Sequence, residues 1–291
     1  MSRGLDHIVH AVYDLDAAAA FYARAGFSVG MRNQHPWGTH NRIVQLQDSY
    51  IEILCVAEPD NILPHAARAF SFGAFQRDFL ATGQGLSMLL MQSHDAQSDA
   101  RAFAAAGFGD FDALDFAREG RLPDGSSVKL AFSLAFAVDP ASKRAEFGTC
   151  QHHHPENFWN ADLQRHANGA IRVEAVMLVA DNPSDHHIFL GALTDVRDLH
   201  SSSLGVAART TGGAVEILEP VTFHDEFGVS LEAEGQGMAF AGLRIAVDDI
   251  DATAALLQAA GVGFAHRGGR LVLPPAEAFG ATLVFAPCGE G

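Results

Sequence analysis

Leu5-Asp6-His7-Ile8-Val9-His10-Ala11-Val12, followed by Asp14, an alanine-rich run to Ala25 and the pair Gly26-Phe27, decides the fold. The opening reads as a short apolar strand. Asp14 can accept hydrogen bonds from the free amides of a helix start, and Gly26 can take the left-handed conformation that closes a helix. The same order returns twice: a strand over 86–93, a helix over 95–106 and Gly107-Phe108, then a strand over 240–247, a helix over 249–260 and Gly261-Val262. A more divergent copy has a strand over 173–179 and a helix opening at Asp181-Asn182-Pro183 and running to Leu193, with proline at a tolerated first-turn position. Further short strands follow the helices, the clearest being Tyr50-Ile51-Glu52-Ile53-Leu54 and Ala214-Val215-Glu216-Ile217-Leu218. Four such units predict an α+β protein with mixed or antiparallel sheets and amphipathic helices packed on one sheet face. The polar stretch 157–169 marks a boundary, giving one domain over 1–160 and a second over 161–291.

The composition narrows the function. The chain has 291 residues, 19 Lys+Arg, 35 Asp+Glu and a formal charge of −16. No basic cluster is present to release counterions from a phosphate backbone or an anionic leaflet, so neither a nucleic-acid nor a membrane partner is expected. With 48% hydrophobic and 19% charged residues, and no apolar run near the length of a membrane span, a globular protein is expected. The first residues leave no room for a secretion signal, which points to the cytoplasm. Cys55, Cys150 and Cys288 are widely spaced and odd in number, so neither a disulfide framework nor a cysteine zinc site is expected. Cys55 and Cys150 read as small buried apolar residues. A homodimer is compatible with the chain.

Overlaying the first and third units on their strands sets Glu174 against His7 and Glu216 against Glu52. Each sits between apolar residues of a strand. If those faces are internal the carboxylates need a partner or a metal, because an unpaired buried charge is costly. A half-exposed strand that alternates polar and apolar residues is the plainer alternative.

The opening strand with Asp14-Leu15, then Gly26-Phe27, His35-Pro36-Trp37-Gly38-Thr39-His40-Asn41 and Tyr50-Ile51-Glu52-Ile53-Leu54, resembles the glyoxalase-like branch of the vicinal oxygen chelate superfamily (glyoxalase, bleomycin resistance, extradiol dioxygenase). The resemblance covers residues 4–56 well and the later units more loosely. It implies paired βαβββ modules whose curled mixed sheets enclose a cleft, with helices packed outside. It also implies metal ligands on the first and last strands of a module, where His7 and Glu52 fall. Imidazole with carboxylate suits a divalent Fe, Mn, Ni, Co or Zn ion. The matching first-strand positions in the second and fourth units hold Met88 and Gly242, and Val284 stands on the last strand, none of them a ligand. If modules pair in chain order, the site must be completed from Cys150-Gln151-His152-His153-His154, with His152 as ligand or Gln151 as a substrate contact. If the first and third pair, His7, Glu52, Glu174 and Glu216 would meet, and one glutamate would be protonated or act as a base. The resemblance also favours His35, Thr39 and Asn41 beside Trp37 as contacts to substrate oxygens, although the stretch reads equally as a tight connection. His10 is expected to face the helix side, and His186-His187 to be neutral surface residues.

Two functional classes follow. One is a metal-dependent lyase or isomerase moving a proton α to a carbonyl of a small oxygenated substrate, with Glu174 or Glu216 as catalytic base and an Fe(II) dioxygenase as a variant. The other is a non-catalytic small-molecule binding protein of the resistance type.

Overall fold

The caps read from the sequence form. Asp14 accepts from the amides of Asp16 and Ala17, Asp95 from Ser98, and Asp249 from Asp251 and Ala252. Gly107 closes its helix in the left-handed conformation at φ 81°. The computed structural model describes residues 2–121, 127–231 and 237–289. In chain order the first half holds β1 (Leu5–Ala11), α1 (Leu15–Arg24), β2 (Asn33–Gln34), β3 (Thr39–Gln45), β4 (Tyr50–Val56), α2 (Phe72–Leu80), β5 (Gly85–Gln92), α3 (Ala96–Ala106), β6 (Leu114–Arg121), β7 (Ser127–Ala137) and β8 (Glu146–His152). The second holds β9 (Ala170–Val179), α4 (His187–Thr194), β10 (His200–Ser202), β11 (Gly205–Thr210), β12 (Gly213–Leu218), α5 (Pro220–Phe227), β13 (Ala239–Val247), α6 (Ile250–Ala259), β14 (Ala265–Arg267), β15 (Arg270–Leu273) and β16 (Thr282–Pro287). The result is α+β, with two curled mixed sheets.

Each sheet has eight strands, in the orders β2-β3-β4-β1-β5-β8-β7-β6 and β10-β11-β12-β9-β13-β16-β15-β14. Units therefore pair in chain order, first with second through antiparallel β1 and β5, third with fourth through antiparallel β9 and β13. The arrangement in which the first and third units share a sheet does not occur.

Alternation along the strands separates two surfaces. Val9, Tyr50, Leu54, Met88, Leu90, Phe132 and Leu134 form an apolar cluster on the cleft side of the first sheet, and Ala175, Met177, Val179 and Val284 one on that of the second. Leu5, Ile8, Phe21, Phe103, Val176, Leu243 and Phe285 belong to one continuous core on the opposite sides, where α1, α3, α4 and α6 pack. That core runs through both halves. Phe27 stacks on Phe285 at 5.9 Å, and His10 bonds Tyr22 Oη at 2.8 Å and the Phe279 carbonyl at 3.0 Å, on the helix side as its parity requires. Two helices lie on the cleft sides instead: α2 brings Phe72 and Phe75 over the first cleft, and α5 brings Phe223 and Phe227 over the second. Among the described residues no helix is long and apolar enough to cross a membrane.

The surface placement expected for His186-His187 fails at the first of the pair. His186 is buried and its Nδ1 lies 3.0 Å from Asp139 Oδ2 of the first half. The segment before α4 is a short 3-10 turn over Pro183–His186 that folds this imidazole inward. His187 remains exposed.

Candidate functional site

The site begins with an irregularity in β1. Leu5 is opposite Met91 and His7 opposite Leu90, so two steps along β1 match one along β5 and Asp6 is the extra residue of a bulge. Without the bulge, Asp6 and His7 would point to opposite faces. With it, both reach the cleft side, and Asp6 Oδ1 lies 2.6 Å from His7 Nδ1. Asp6 Oδ2 lies 3.2 Å from His152 Nε2. Burial alone would raise the Asp6 carboxyl; His152 and His7 outweigh it and hold it down at about 2.

Held through Nδ1 by Asp6 and stacked on Tyr50 at 4.5 Å, His7 presents Nε2 to the cleft, 3.8 Å from Glu52 Oε2. Glu52 stands opposite Val9 on the parallel pairing of β1 with β4, which sets the two side chains on one face. Asn41, from β3, donates to Glu52 Oε1 at 2.5 Å. His35 Nε2 lies 3.6 Å from the same oxygen, while Thr39 Oγ1 meets His35 Nδ1 at 2.9 Å. Burial pushes the His35 imidazole down to about 4, with Glu52 opposing and Arg118 reinforcing the shift. Trp37 stacks on His35 at 4.8 Å and meets Phe116 edge-on at 4.9 Å.

These groups surround a cavity of about 30 Å³, enough for an ion and a water or two. His7, His35, Asn41, Glu52, Arg118 and Cys150 provide its polar lining, and Trp37, Tyr50, Phe72, Phe116, Phe132 and Phe158 its aromatic walls. Arg118 donates to Asn33 Oδ1 at 3.1 Å and is the cation of this lining.

His7, Glu52, His35, Trp37 and Asn41 thus come together. Thr39 is fully buried and acts through His35, away from the lining. His152 sits against Phe132 and Phe158, each 4.8 Å away, and reaches Asp6 with Nε2 while Nδ1 is buried without a partner. Gln151 is one residue out of phase with Cys150 and His152, so it faces the helix side and accepts from the Ala96 amide at 3.1 Å. It does not reach the cleft.

Glu174 and Glu216 do not reach it either. Val173 pairs with Ile245 and Ala175 with Arg244, so Glu174 is the extra residue of the matching bulge in β9 and the counterpart of Asp6. Ala175, opposite Ala214 as His7 is opposite Tyr50, is the counterpart of His7. The overlay of Glu174 on His7 is therefore one residue out of register. Glu216 does match Glu52, opposite Met177 as Glu52 is opposite Val9. Both glutamates serve Arg244, which donates to Glu216 at 2.5 and 3.1 Å and lies 3.6 Å from Glu174. Met88 and Gly148 occupy the two remaining ligand positions of the first sheet, opposite Val9 and Leu90.

The donor chemistry fits a divalent ion. His7 Nε2 and Glu52 Oε2 converge without a direct hydrogen bond, and a carboxylate fixes the far nitrogen of His7, the usual support of a ligating imidazole. His35 supplies a third nitrogen. Asp6, His7 and Cys150 form a second donor set, with ligand atoms within 4.8 Å of one another. Burial, then Asp6, pushes the Cys150 thiol far up, which keeps it protonated unless a cation displaces the proton. Asp6 and Arg118 carried no site signal in the sequence, and Cys150, the first residue of the stretch expected to complete the site, read as a small buried apolar residue. Asp6 depended on a bulge, and Arg118 comes from a strand of the second unit, although its alternation with Phe116 marks one inward face.

The family profile described as Glyoxalase-like domain matches residues 5–194. No curated protein matches the chain. Among solved structures, a hypothetical protein from Staphylococcus aureus is similar with a TM-score of 0.65 at 14% identity, over 99% of this chain and 100% of that one. A variant of 4-hydroxymandelate synthase from Streptomyces coelicolor gives 0.53 at 13% identity, over 92% of this chain and 78% of that one. The Mn(II)-bound glyoxalase from Novosphingobium aromaticivorans gives 0.52 at 10% identity, over 99% and 83%. At such identities the likeness to these structures is one of fold. The profile match spans well over half of the chain, and the chain belongs to the glyoxalase-like domain family of the vicinal oxygen chelate superfamily.

Proposed function

We propose that the protein is a metal-dependent enzyme of the lyase or isomerase type, moving a proton α to a carbonyl of a small substrate with neighbouring oxygens. The observation that carries this reading is the convergence of His7 Nε2 and Glu52 Oε2 on one cavity, with Asp6 locking the orientation of His7. His7 and Glu52 would hold the ion. When bound, such an ion supplies Lewis-acid polarisation of a carbonyl and charge stabilisation for an enolate.

The remaining steps belong to the chain. Asn41 keeps Glu52 oriented by its 2.5 Å hydrogen bond. Thr39 bonds His35 Nδ1, and Nε2, which lies 3.3 Å from Asn41 Nδ2 at the cavity wall, exchanges that contact for the proton it takes from substrate carbon and returns to the neighbouring carbon. Arg118, the cation of the lining, offsets the negative charge that develops on substrate oxygen. The aromatic walls exclude water from the exchange.

The test is proton–deuterium exchange at the carbon α to a carbonyl, followed by NMR on metal-loaded protein with 2-oxo acids and thiohemiacetals. Exchange is expected in the wild type and a loss of about 100-fold or more in His35→Gln with metal retained. No exchange with either class in the loaded protein would refute the reading.

An Fe(II) dioxygenase is the variant supported by the set His7, His35 and Glu52, two imidazoles and one carboxylate. In that set His35 takes the place the sequence reading gave to His152. The second reading, a resistance-type binding protein, is favoured by Met88 and Gly148, which leave two of the four ligand positions of the sheet without donors.

A further inference from the structure

The second sheet has a cleft of its own, about 300 Å³ in volume, in the range of small-molecule pockets. The positions that carry His7 and Glu52 in the first sheet carry Ala175 and Glu216 here, and Glu216 is occupied by Arg244 through two hydrogen bonds. A cation side chain thus stands beside the one carboxylate that could ligate a metal. The cleft is built for a different kind of guest.

Its lining gives the chemistry. Arg209, Arg244 and Arg270 face two carboxylates, Glu216 and Glu226. Arg244 is paired with Glu216, and Arg270 with Glu226 at 3.2 Å. Arg209 is left over: among the described residues its guanidinium makes no hydrogen bond or ion pair. The lining carries three arginines and two carboxylates in a chain of formal charge −16. Unpaired arginine presents a planar fork that matches a carboxylate. Beside it the cleft is apolar, with Ala207, Leu218 and Phe227 in the wall and Leu204 51% exposed at the β10–β11 turn. The Nε of Arg270 is buried without a hydrogen-bond acceptor, while that of Arg244 lies 3.6 Å from Glu174 Oε2.

We propose that this second cleft is a metal-independent binding site for a small amphiphilic monocarboxylate, its carboxylate on Arg209 and its apolar body against Leu204, Leu218 and Phe227. The site is separate from the His7–Glu52 cavity and stands or falls without the reaction proposed there.

Calorimetry with benzoate as probe, and benzyl alcohol as its uncharged counterpart, tests the assignment on the full chain. The expected result is one benzoate bound per chain, with benzyl alcohol bound at least about tenfold more weakly. Arg209→Gln, an exposed change that removes no core packing, should weaken benzoate by about tenfold or more. Ala207→Phe, which fills the cleft from β11, should abolish binding, and Glu52→Gln should leave the Kd within about twofold. The proposal is overturned by no benzoate binding to wild type, by equal binding of benzyl alcohol, by affinity unchanged in Arg209→Gln, or by loss of binding in Glu52→Gln.

Discussion

Asp6 is the residue on which the first cleft turns, because one carboxylate fixes two imidazoles and so orients His7 toward Glu52. His7 and Glu52 were legible in the sequence because each stands between apolar neighbours on a strand whose inward face must be explained. Gln151 and Glu174 were misplaced by one residue of phase, the first by alternation along β8 and the second by a bulge. A bulge leaves no mark in residue type, which is why Asp6 was invisible. A different carboxyl gives a pH signature. Burial, with Asp139 adding to it against an opposing bond from the Phe147 amide, pushes Glu146 up from 4.5 to about 8. Between those values the folded chain keeps a proton that the unfolded chain releases, so stability from this group is full below about 4.5 and is lost as pH rises toward 8. Glu146→Gln removes the ionisation. Its unfolding free energy, relative to wild type, should rise from pH 5 to 8 by on the order of a few kcal/mol, with Tm following, and level off above that. A difference in Tm that is constant with pH would contradict the assignment.

At the scale of elements, the strands, capped helices and unit repeats were legible because caps and alternation are local. The helices α2 and α5 were not, since neither follows an Asp-capped, alanine-rich pattern and both act by closing a cleft. The α2 helix makes its closure by close approach. A Cβ on Gly73 would stand 2.6 Å from the Trp37 carbonyl oxygen, a backbone atom that cannot swing aside. Gly73→Ala should therefore cost about 1–3 kcal/mol in denaturant unfolding, where the helix setting alone would favour alanine. A stabilised Gly73→Ala variant would show that the helix does not seat on the Trp37 loop.

For the whole molecule, the repeat of four units announced two sheets, but which units share one was set by contacts far apart in sequence, the antiparallel pairs β1–β5 and β9–β13. The same pairing gives the halves unlike clefts from like frames. In the first, Asp6, His7 and Glu52 converge; in the second, Glu174, Ala175 and Glu216 close around Arg244. The halves also share one core, through Phe27 on Phe285 and His10 on the Phe279 carbonyl, so the chemistry of the first cleft rests on packing supplied by the second half. That a divalent ion belongs to the first cleft and not the second is the central claim. Elemental analysis of metal-loaded, gel-filtered protein tests it most directly, with His7→Ala, Glu52→Gln, Asp6→Asn and Glu216→Gln compared in parallel. The account predicts about one ion per chain in wild type and Glu216→Gln, none in His7→Ala or Glu52→Gln, and an affinity weakened by about 10- to 100-fold in Asp6→Asn. Folded wild-type protein that retains no ion under any loading, or an ion that survives both His7→Ala and Glu52→Gln, would contradict it.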